Sequence, residues 1–266
     1  MKYLFLASLL FSFSLMSYES DLPKCPKKHS NLWHNCQGTY IASDGAVYKG
    51  EFFHAMMNGE GTYEKDGNVY EGTFKNWERD GKGVYRYGAG AVYTGDFLRG
   101  FMHGKGLMKY QDNAGSYEGD FVASKKFGQG RFEWPDGSFY EGSYKFDNKD
   151  GQGRYVFTNG AEYTGSWEND KQSGFGKETS ASFTYEGQWN VGKMWGNGTY
   201  TASDGSYYQG QFLNGYLHGK GTCYSPGNEV GPCEYKDGKN ISKNNSFFGN
   251  FLGNLIKQAI IGEIIN

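Results

Sequence analysis

Cysteine and histidine are side chains that often bind metals or act as nucleophiles. This chain of 266 residues contains only four cysteines and five histidines. The two cysteines near each end are 11 and 10 residues apart, so they lack the short Cys-x₂-Cys pair of structural zinc sites. We therefore predict no metal site. His103 and His218 both precede a Gly-Lys-Gly triplet, and we interpret them as solvated loop residues. A repeated pH-sensitive contact is the alternative.

Glycine and glutamate motifs do not predict a catalytic site either. Gly-x-Gly occurs eight times in register, but no copy continues as the Gly-Lys-Ser/Thr of a phosphate-binding loop. No Gly-x-Ser-x-Gly nucleophile elbow is present. Glu71, Glu118, Glu141 and Glu186 all fill the middle of Tyr-x-Gly, which indicates one solvated strand face rather than a catalytic pair. We expect no enzyme activity, no cofactor and no small-molecule substrate.

The Gly-x-Gly triplets belong to a longer internal repeat with a period of 22 to 24 residues. In every copy the glycine of Tyr-x-Gly is followed nine residues later by the first glycine of Gly-x-Gly. The copies begin at Tyr48, Tyr70, Tyr93, Tyr117, Tyr140, Tyr163, Tyr185 and Tyr208, and their first glycines are Gly50, Gly72, Gly95, Gly119, Gly142, Gly165, Gly187 and Gly210. We predict that these residues form the repeated core.

Strand periodicity explains the motif, because residues two apart on a strand share one face. Tyr48, Gly50 and Phe52 then lie on one face, while Lys49 and Glu51 lie on the other. Glycine leaves a gap on this face, and we expect an aromatic ring of the neighbouring strand to fill it. The 42 glycines, 22 tyrosines and 20 phenylalanines suit many short strands joined by tight turns. The sequence predicts an all-β protein.

Two kinds of link join the predicted strands. Five Asp-Gly or Asn-Gly pairs precede Tyr-x-Gly strands and predict two-residue hairpin turns; they begin at Asp44, Asp66, Asp136, Asn159 and Asp204. The other link, such as residues 53–58 or 75–80, is expected to be longer and more variable. We therefore expect one edge of the sheet to carry diverse recognition loops.

The repeated residues resemble the MORN repeat, named for membrane occupation and recognition nexus. The resemblance covers residues 38–224 and implies tandem β-hairpins that form one elongated, single-layer antiparallel sheet. It also implies scaffolding, protein binding or membrane attachment. Met108 and Glu178 stand where other copies have Tyr or Phe, so we expect altered packing there. Residues 21–37 and 225–266, which flank the array, are expected to be too short for an enzyme domain. Residues 21–37 and 225–246 are predicted to form caps.

Residues 1–20 have the layout of a secretory signal peptide. Lys2 precedes an apolar run of 14 residues, from Tyr3 to Met16, followed by small and polar residues. This run is shorter than the roughly 20 residues that a spanning helix needs, although an uncleaved anchor is the alternative. We expect an exported protein that is secreted, periplasmic or attached to the cell surface.

The cysteines lie at the two ends of the predicted array, and export implies an oxidising compartment. Four cysteines can pair in three ways. Sixteen strands span on the order of 80 Å, whereas a disulfide joins Cα atoms about 5.5 Å apart. We therefore predict the disulfides Cys25–Cys36 and Cys223–Cys233.

Residues 247–266 differ in character, with apolar residues at spacings of three and four that predict a short amphipathic helix. Its simplest role is to fold back over the sheet, and docking to a membrane or a partner is the alternative. Lys257 is the only cation of this segment, so it lacks the basic face that favours anionic lipid.

Charge restricts the partners of the chain. Its 27 basic and 29 acidic residues give a net charge of −2, and we expect no nucleic-acid binding. The leading hypothesis is a non-enzymatic exported scaffold that binds a protein or a cell-envelope component. The alternative is a membrane-associated phospholipid-binding module, but the centre of Gly-x-Gly is cationic only at Lys82, Lys105 and Lys220.

Overall fold

The computed structural model describes residues 20–27, 30–228 and 230–242. The predicted signal peptide, apart from Ser20, and the predicted helix over residues 247–266 lie outside the described residues. The predictions for these two segments therefore stay predictions.

The described part of the chain is all-β. Two three-residue 3₁₀ helices, Ser30–Leu32 and Gln111–Asn113, accompany nineteen strands. The strands are β1 Cys36–Ile41, β2 Val47–Phe53, β3 Met56–Lys65, β4 Asn68–Lys75, β5 Glu78–Arg86, β6 Val92–Leu98, β7 Phe101–Lys109, β8 Ser116–Val122, β9 Lys125–Glu133, β10 Phe139–Lys145, β11 Asn148–Val156, β12 Glu162–Glu168, β13 Lys171–Thr179, β14 Phe183–Asn190, β15 Lys193–Ala202, β16 Tyr207–Leu213, β17 Tyr216–Tyr224, β18 Gly231–Lys236 and β19 Lys239–Asn240.

Each strand pairs antiparallel with the next one in the chain, so the sheet is one open meander. The predicted single antiparallel sheet of hairpins is confirmed. Its register places glycine opposite glycine at every step, for example Gly142 opposite both Gly130 and Gly153. This glycine row begins at Gly38 in β1 and ends at Gly221 in β17, where Cys233 of β18 is the next partner.

The turns differ from the prediction. Asp66-Gly67 is a two-residue turn with positive φ at both residues, but the other four predicted pairs lie in three-residue turns. At Asp136, for example, the Gly137 N–H donates to the Trp134 carbonyl and the Trp134 N–H donates to the Ser138 carbonyl. The glycine then adopts the left-handed conformation, with φ of 84°, as in a type I turn followed by a bulge.

The links that were expected to be long and variable are the shorter ones. Phe53 pairs directly with Met56, and Lys145 pairs with Asn148, so each link is a two-residue turn. Both central residues have positive φ, including Phe146 at 50°. The prediction was wrong because every hairpin contains a register shift beyond its Tyr-x-Gly glycine, which extends the following strand through residues interpreted as loop.

Candidate functional site

One face of the sheet, here called the ring-lined face, carries the repeated tyrosines. All eight are fully buried, with 0% exposure. Each hydroxyl donates to the backbone carbonyl three residues further on, for example Tyr48 to Glu51 at 2.9 Å and Tyr140 to Ser143 at 3.0 Å. Burial raises the pKa of Tyr140 well above its ordinary value. These hydroxyls are therefore neutral structural donors at physiological pH.

The buried rings form a continuous chain of edge-to-face contacts along the sheet. Neighbouring centroids are 4.6 to 5.4 Å apart from Trp33 to Tyr235. Edge-to-face pairs are favoured by the ring quadrupole. Met108, one of the two expected departures from the pattern, is also buried in this core. The chain of rings gives the single-layer sheet its hydrophobic core.

Glycines make room for these rings at two positions of each repeat. A Cβ at Gly153 would lie 2.5 Å from Cε2 of Tyr140, and a Cβ at Gly142 would lie 2.6 Å from the Gln152 carbonyl oxygen. Real Cβ atoms do not approach other atoms so closely, so neither site accepts a side chain without a backbone shift. The ring that fills the gap comes from the paired strand of the same hairpin, consistent with the prediction of a neighbouring ring.

A second set of rings packs over the buried chain and stays partly exposed. This outer ring layer consists of Tyr85, Tyr87, Tyr110, Phe132, Trp134, Tyr155 and Phe157. Its members contact one another, for example Phe132 with Trp134 at 4.6 Å and Trp134 with Tyr155 at 5.3 Å between centroids. The layer covers the ring-lined face between β5 and β11.

Three cations lie within the same face. Lys126 Nζ is 5.1 Å from the ring centroids of both Phe132 and Tyr144. Lys149 Nζ is 4.7 Å from the centroid of Trp167. Arg79 lies over Tyr85 in the same way. Burial lowers the pKa of both Lys126 and Lys149.

The opposite face, here called the polar face, carries a ladder of cross-strand contacts. Lys82 forms an ion pair with Asp96, and Lys105 with Asp120. At the equivalent position of the following hairpin, the Gln129 amide donates to the Ser143 hydroxyl at 2.8 Å. Two of the lysines considered for lipid binding are therefore engaged by carboxylates.

The glutamates in the middle of Tyr-x-Gly lie on this polar face, as predicted. Glu141 is 3.7 Å from Arg131, and Glu186 is 3.7 Å from Lys177. Arg154 pairs with Glu162 instead, at 2.6 Å. These partners are exposed, so each pair contributes under about 1 kcal/mol. Beside them, Phe175, Lys177 and Thr199 help to line a shallow cleft of about 880 Å³.

Comparison with known sequences identifies the repeat. The family model of the MORN repeat matches eight consecutive units, residues 48–69, 70–92, 93–114, 117–139, 140–162, 163–184, 185–207 and 208–230. The chain belongs to the MORN repeat family. The resemblance carried by the Tyr-x-Gly and Gly-x-Gly motifs is thus confirmed. No curated protein matches the sequence.

Two solved structures are distantly similar to the MORN array. The SAS-4 TCP domain of Drosophila melanogaster, in complex with a proline-rich motif of Ana2, is 12% identical with a TM-score of 0.35, covering 72% of this chain and 99% of its own. A variant of the TCP10 domain of Danio rerio CPAP is 13% identical with a TM-score of 0.35, covering 73% and 96%.

Disulfides lie at both ends of the MORN array, between Cys25 and Cys36 and between Cys223 and Cys233. A Cβ at Gly38 would meet Cys25 at 3.2 Å, so the first bridge packs on the start of the glycine row. Cys233 occupies the glycine position itself, opposite Gly221. The disulfides therefore lie at the two ends of the glycine row.

The two repeated histidines of the MORN array occupy equivalent positions, but in strands rather than loops. His103 pairs with Asp96 across β6 and β7, and His218 pairs with Gln211 across β16 and β17. His218 Nδ1 is 3.4 Å from Asp237 Oδ1. The loop assignment was wrong for the same reason as the link length, because the register shift extends these strands.

Among the residues that the structure describes, no group of three or more His, Cys, Asp or Glu side chains could hold a metal ion. The described part also contains no helix that is long and apolar enough to span a membrane.

Sequence reasoning missed Arg79, Lys126 and Lys149. Each lies two residues before the first glycine of Gly-x-Gly, where Met57 and Met102 stand in other MORN repeats. Alignment of the repeats on their glycines would have singled out this position. Its location beside the rings follows from the register and could not be inferred while the residues were assigned to a loop.

Proposed function

We propose that this protein is a non-enzymatic, exported repeat scaffold that binds another protein or a cell-envelope component through its ring-lined face. The observation that carries the proposal is the outer ring layer. Its rings are only partly buried, and within the described residues no further segment packs over them. Aromatic side chains are enriched in protein interfaces because they bury a large area at a low entropy cost.

Export is supported by two features. Residues 1–20 have the layout of a secretory signal peptide, and disulfides persist mainly in oxidising compartments. Both cysteine pairs lie within bonding distance. The scaffold role is supported by family membership, since MORN repeat proteins generally act as interaction modules.

Phospholipid binding is the weaker alternative. Headgroup recognition requires cations that are available at repeated positions. Lys82 and Lys105 are ion-paired with Asp96 and Asp120, and Lys220 lies opposite Glu234. Two of the three Gly-x-Gly lysines are therefore already paired with carboxylates.

The proposal is tested with two matched variants. Trp134→Lys changes the outer ring layer, whereas Phe175→Lys changes a ring on the polar face that is 60% exposed. We expect wild-type protein to retain a reproducible partner from secreted or cell-envelope fractions, and only Trp134→Lys to lose it while circular dichroism shows that the sheet is still folded. Absence of any partner, or sedimentation with anionic liposomes that depends on Lys82 and Lys105, would contradict the proposal.

A further inference from the structure

The ammonium groups of Lys126 and Lys149 are set among rings rather than beside carboxylates. Lys149 Nζ lies 4.7 Å from the Trp167 centroid and 5.2 Å from the Tyr155 centroid. Across the described residues, neither Nζ forms an ion pair or a hydrogen bond with a protein group. Aromatic faces attract a cation, but they leave N–H donors that face away from the rings without a charged acceptor.

The carboxylates near the two ammonium groups bind other groups of the protein. Asp147 forms an ion pair with Lys125 at 2.7 Å and accepts the backbone N–H of Lys126 at 2.9 Å. Asp170 accepts the backbone N–H of Lys149 at 2.9 Å. Asp170 acts on both lysines and Asp147 on Lys126 through the electrostatic field, but neither carboxylate contacts an Nζ atom.

The fold does not require a cation at this position. In the other repeats, the residue equivalent to Lys126 or Lys149 lies opposite the Phe, Tyr or Trp that stands two residues after the glycine of Tyr-x-Gly. This residue is apolar in most of them: Met57, Met102, Met194 and Leu217. A half-buried lysine is less favourable than methionine for packing alone, because burial penalises its charged form. The two charges are therefore available to a ligand.

Spacing defines the ligand further. Lys126 lies on β9 and Lys149 on β11, two strands apart, and adjacent strands are about 4.8 Å apart. The two cations are thus separated by roughly 10 Å along the array. An extended peptide in the polyproline II conformation advances about 3.1 Å per residue and has three residues per turn. Carboxylates three residues apart then point to the same side and are separated by roughly 9 Å, which matches this distance.

We propose that Lys126 and Lys149 form a binding site for an extended acidic segment of a partner protein that crosses the strands along the array. Acidic side chains at positions i and i+3 contact the two ammonium groups, and the intervening apolar side chains pack on Trp134 and Tyr155. This inference rests on the proposed protein-binding function and adds the chemistry of the partner. A peptide is favoured over a membrane because the cations are recessed between rings, within reach of a narrow chain.

The probes are fluorescently labelled, blocked peptides of Glu, Ala and Pro, whose prolines favour the polyproline II conformation. The spacing between their two glutamates varies from one to five residues. We expect the full chain to bind the i+3 peptide most tightly and to bind its glutamine counterpart at least about tenfold more weakly. Binding of the i+3 peptide should also weaken as salt is added, because both contacts are charged.

Matched variants assign the site. Lys126→Met with Lys149→Met introduces the residue of other repeats, and we expect it to lower affinity about tenfold or more while the melting temperature is kept or raised. Lys145→Met with Lys171→Met removes two charges at exposed positions on nearby strands, and should change the affinity far less.

Equal binding of the glutamate and glutamine peptides, no spacing preference, or unchanged binding by the Lys126→Met, Lys149→Met variant would overturn the inference. Binding of phosphatidylserine vesicles, but of no peptide, that is lost in this variant would also overturn it. If the variant still retains the partner found with wild-type protein, the acidic site is wrong while the scaffold function stands.

Discussion

Three positions in each repeat are glycine, and each requires glycine for a different physical reason. Gly142 faces the backbone of the paired strand, and Gly153 lies under the ring of Tyr140. Gly151, the first glycine of Gly-x-Gly, has a φ of 105°, a conformation that L side chains rarely adopt. The sequence predicted a gap for a ring because Tyr and Gly alternate on one face. The sequence could not predict why Gly151 must be glycine, because its positive φ depends on the register shift within the hairpin.

The face assignment is tested by placing valine at adjacent residues. Gly142→Val should lower the melting temperature strongly, since its side chain would meet the Gln152 carbonyl and the paired backbone; overpacking typically costs about 1 to 3 kcal/mol. Glu141→Val should be nearly neutral, because Glu141 is exposed and only weakly paired with Arg131. Thermal unfolding followed by circular dichroism checks both, and equal melting temperatures would contradict the assignment.

At the scale of elements, the hairpins depend on type I′-like turns that the local sequence does not predict. Asn-Gly favours this turn, and Asn214-Gly215 uses it. Val191-Gly192 adopts the same conformation with φ of 48° at Val191. A β-branched residue is disfavoured there, so sequence rules assign such a link to a longer loop. The strand register set by the glycine row overrides this local preference.

This conflict predicts the effect of exchanging the two turn residues. Val191→Asn should stabilise the protein by about 1 kcal/mol, because a left-handed conformation costs an L residue roughly 1 to 2 kcal/mol and asparagine tolerates it best. Val191 is 58% exposed, so little apolar burial is lost. Asn214→Val is the reciprocal control and should lower the free energy of unfolding by a similar amount in urea denaturation. The same sign of change in both variants would refute this account of the turns.

At the scale of the whole molecule, the core is a line of buried tyrosines rather than a central cluster. Burial raises the pKa of these phenols, in Tyr208 to about 12 and in Tyr140 further. A raised folded pKa contributes stability that is present below the ordinary value near 10 and is lost as pH rises above it. For Lys126 and Lys149 the effect of rising pH on stability has the opposite sign, because burial lowers their pKa. These two lysines are far fewer than the buried tyrosines.

We therefore expect cooperative unfolding above about pH 10, where each buried tyrosine can remove up to about 1.4 kcal/mol per pH unit. Tyrosinate absorbance should rise together with the loss of strand circular dichroism. The check is a parallel titration of both signals. Ionisation of all tyrosines near pH 10 with the sheet intact would show that the rings are accessible and would contradict the buried core.

Within the described residues, each MORN hairpin makes its main contacts with its neighbours along the chain, so stability should be close to a sum of repeat and interface terms. Deletion of residues 140–162, one whole repeat, joins Phe139 to Tyr163 and preserves both the glycine row and the alternation of strands. We expect a folded protein that is shorter by two strands, about 10 Å, in small-angle X-ray scattering. Deletion of residues 140–150 is the control, because it removes only one strand and its turn and brings strands of the wrong direction together. Unfolding after the whole-repeat deletion would mean that distant repeats depend on one another, which an array held together by nearest-neighbour rings does not allow.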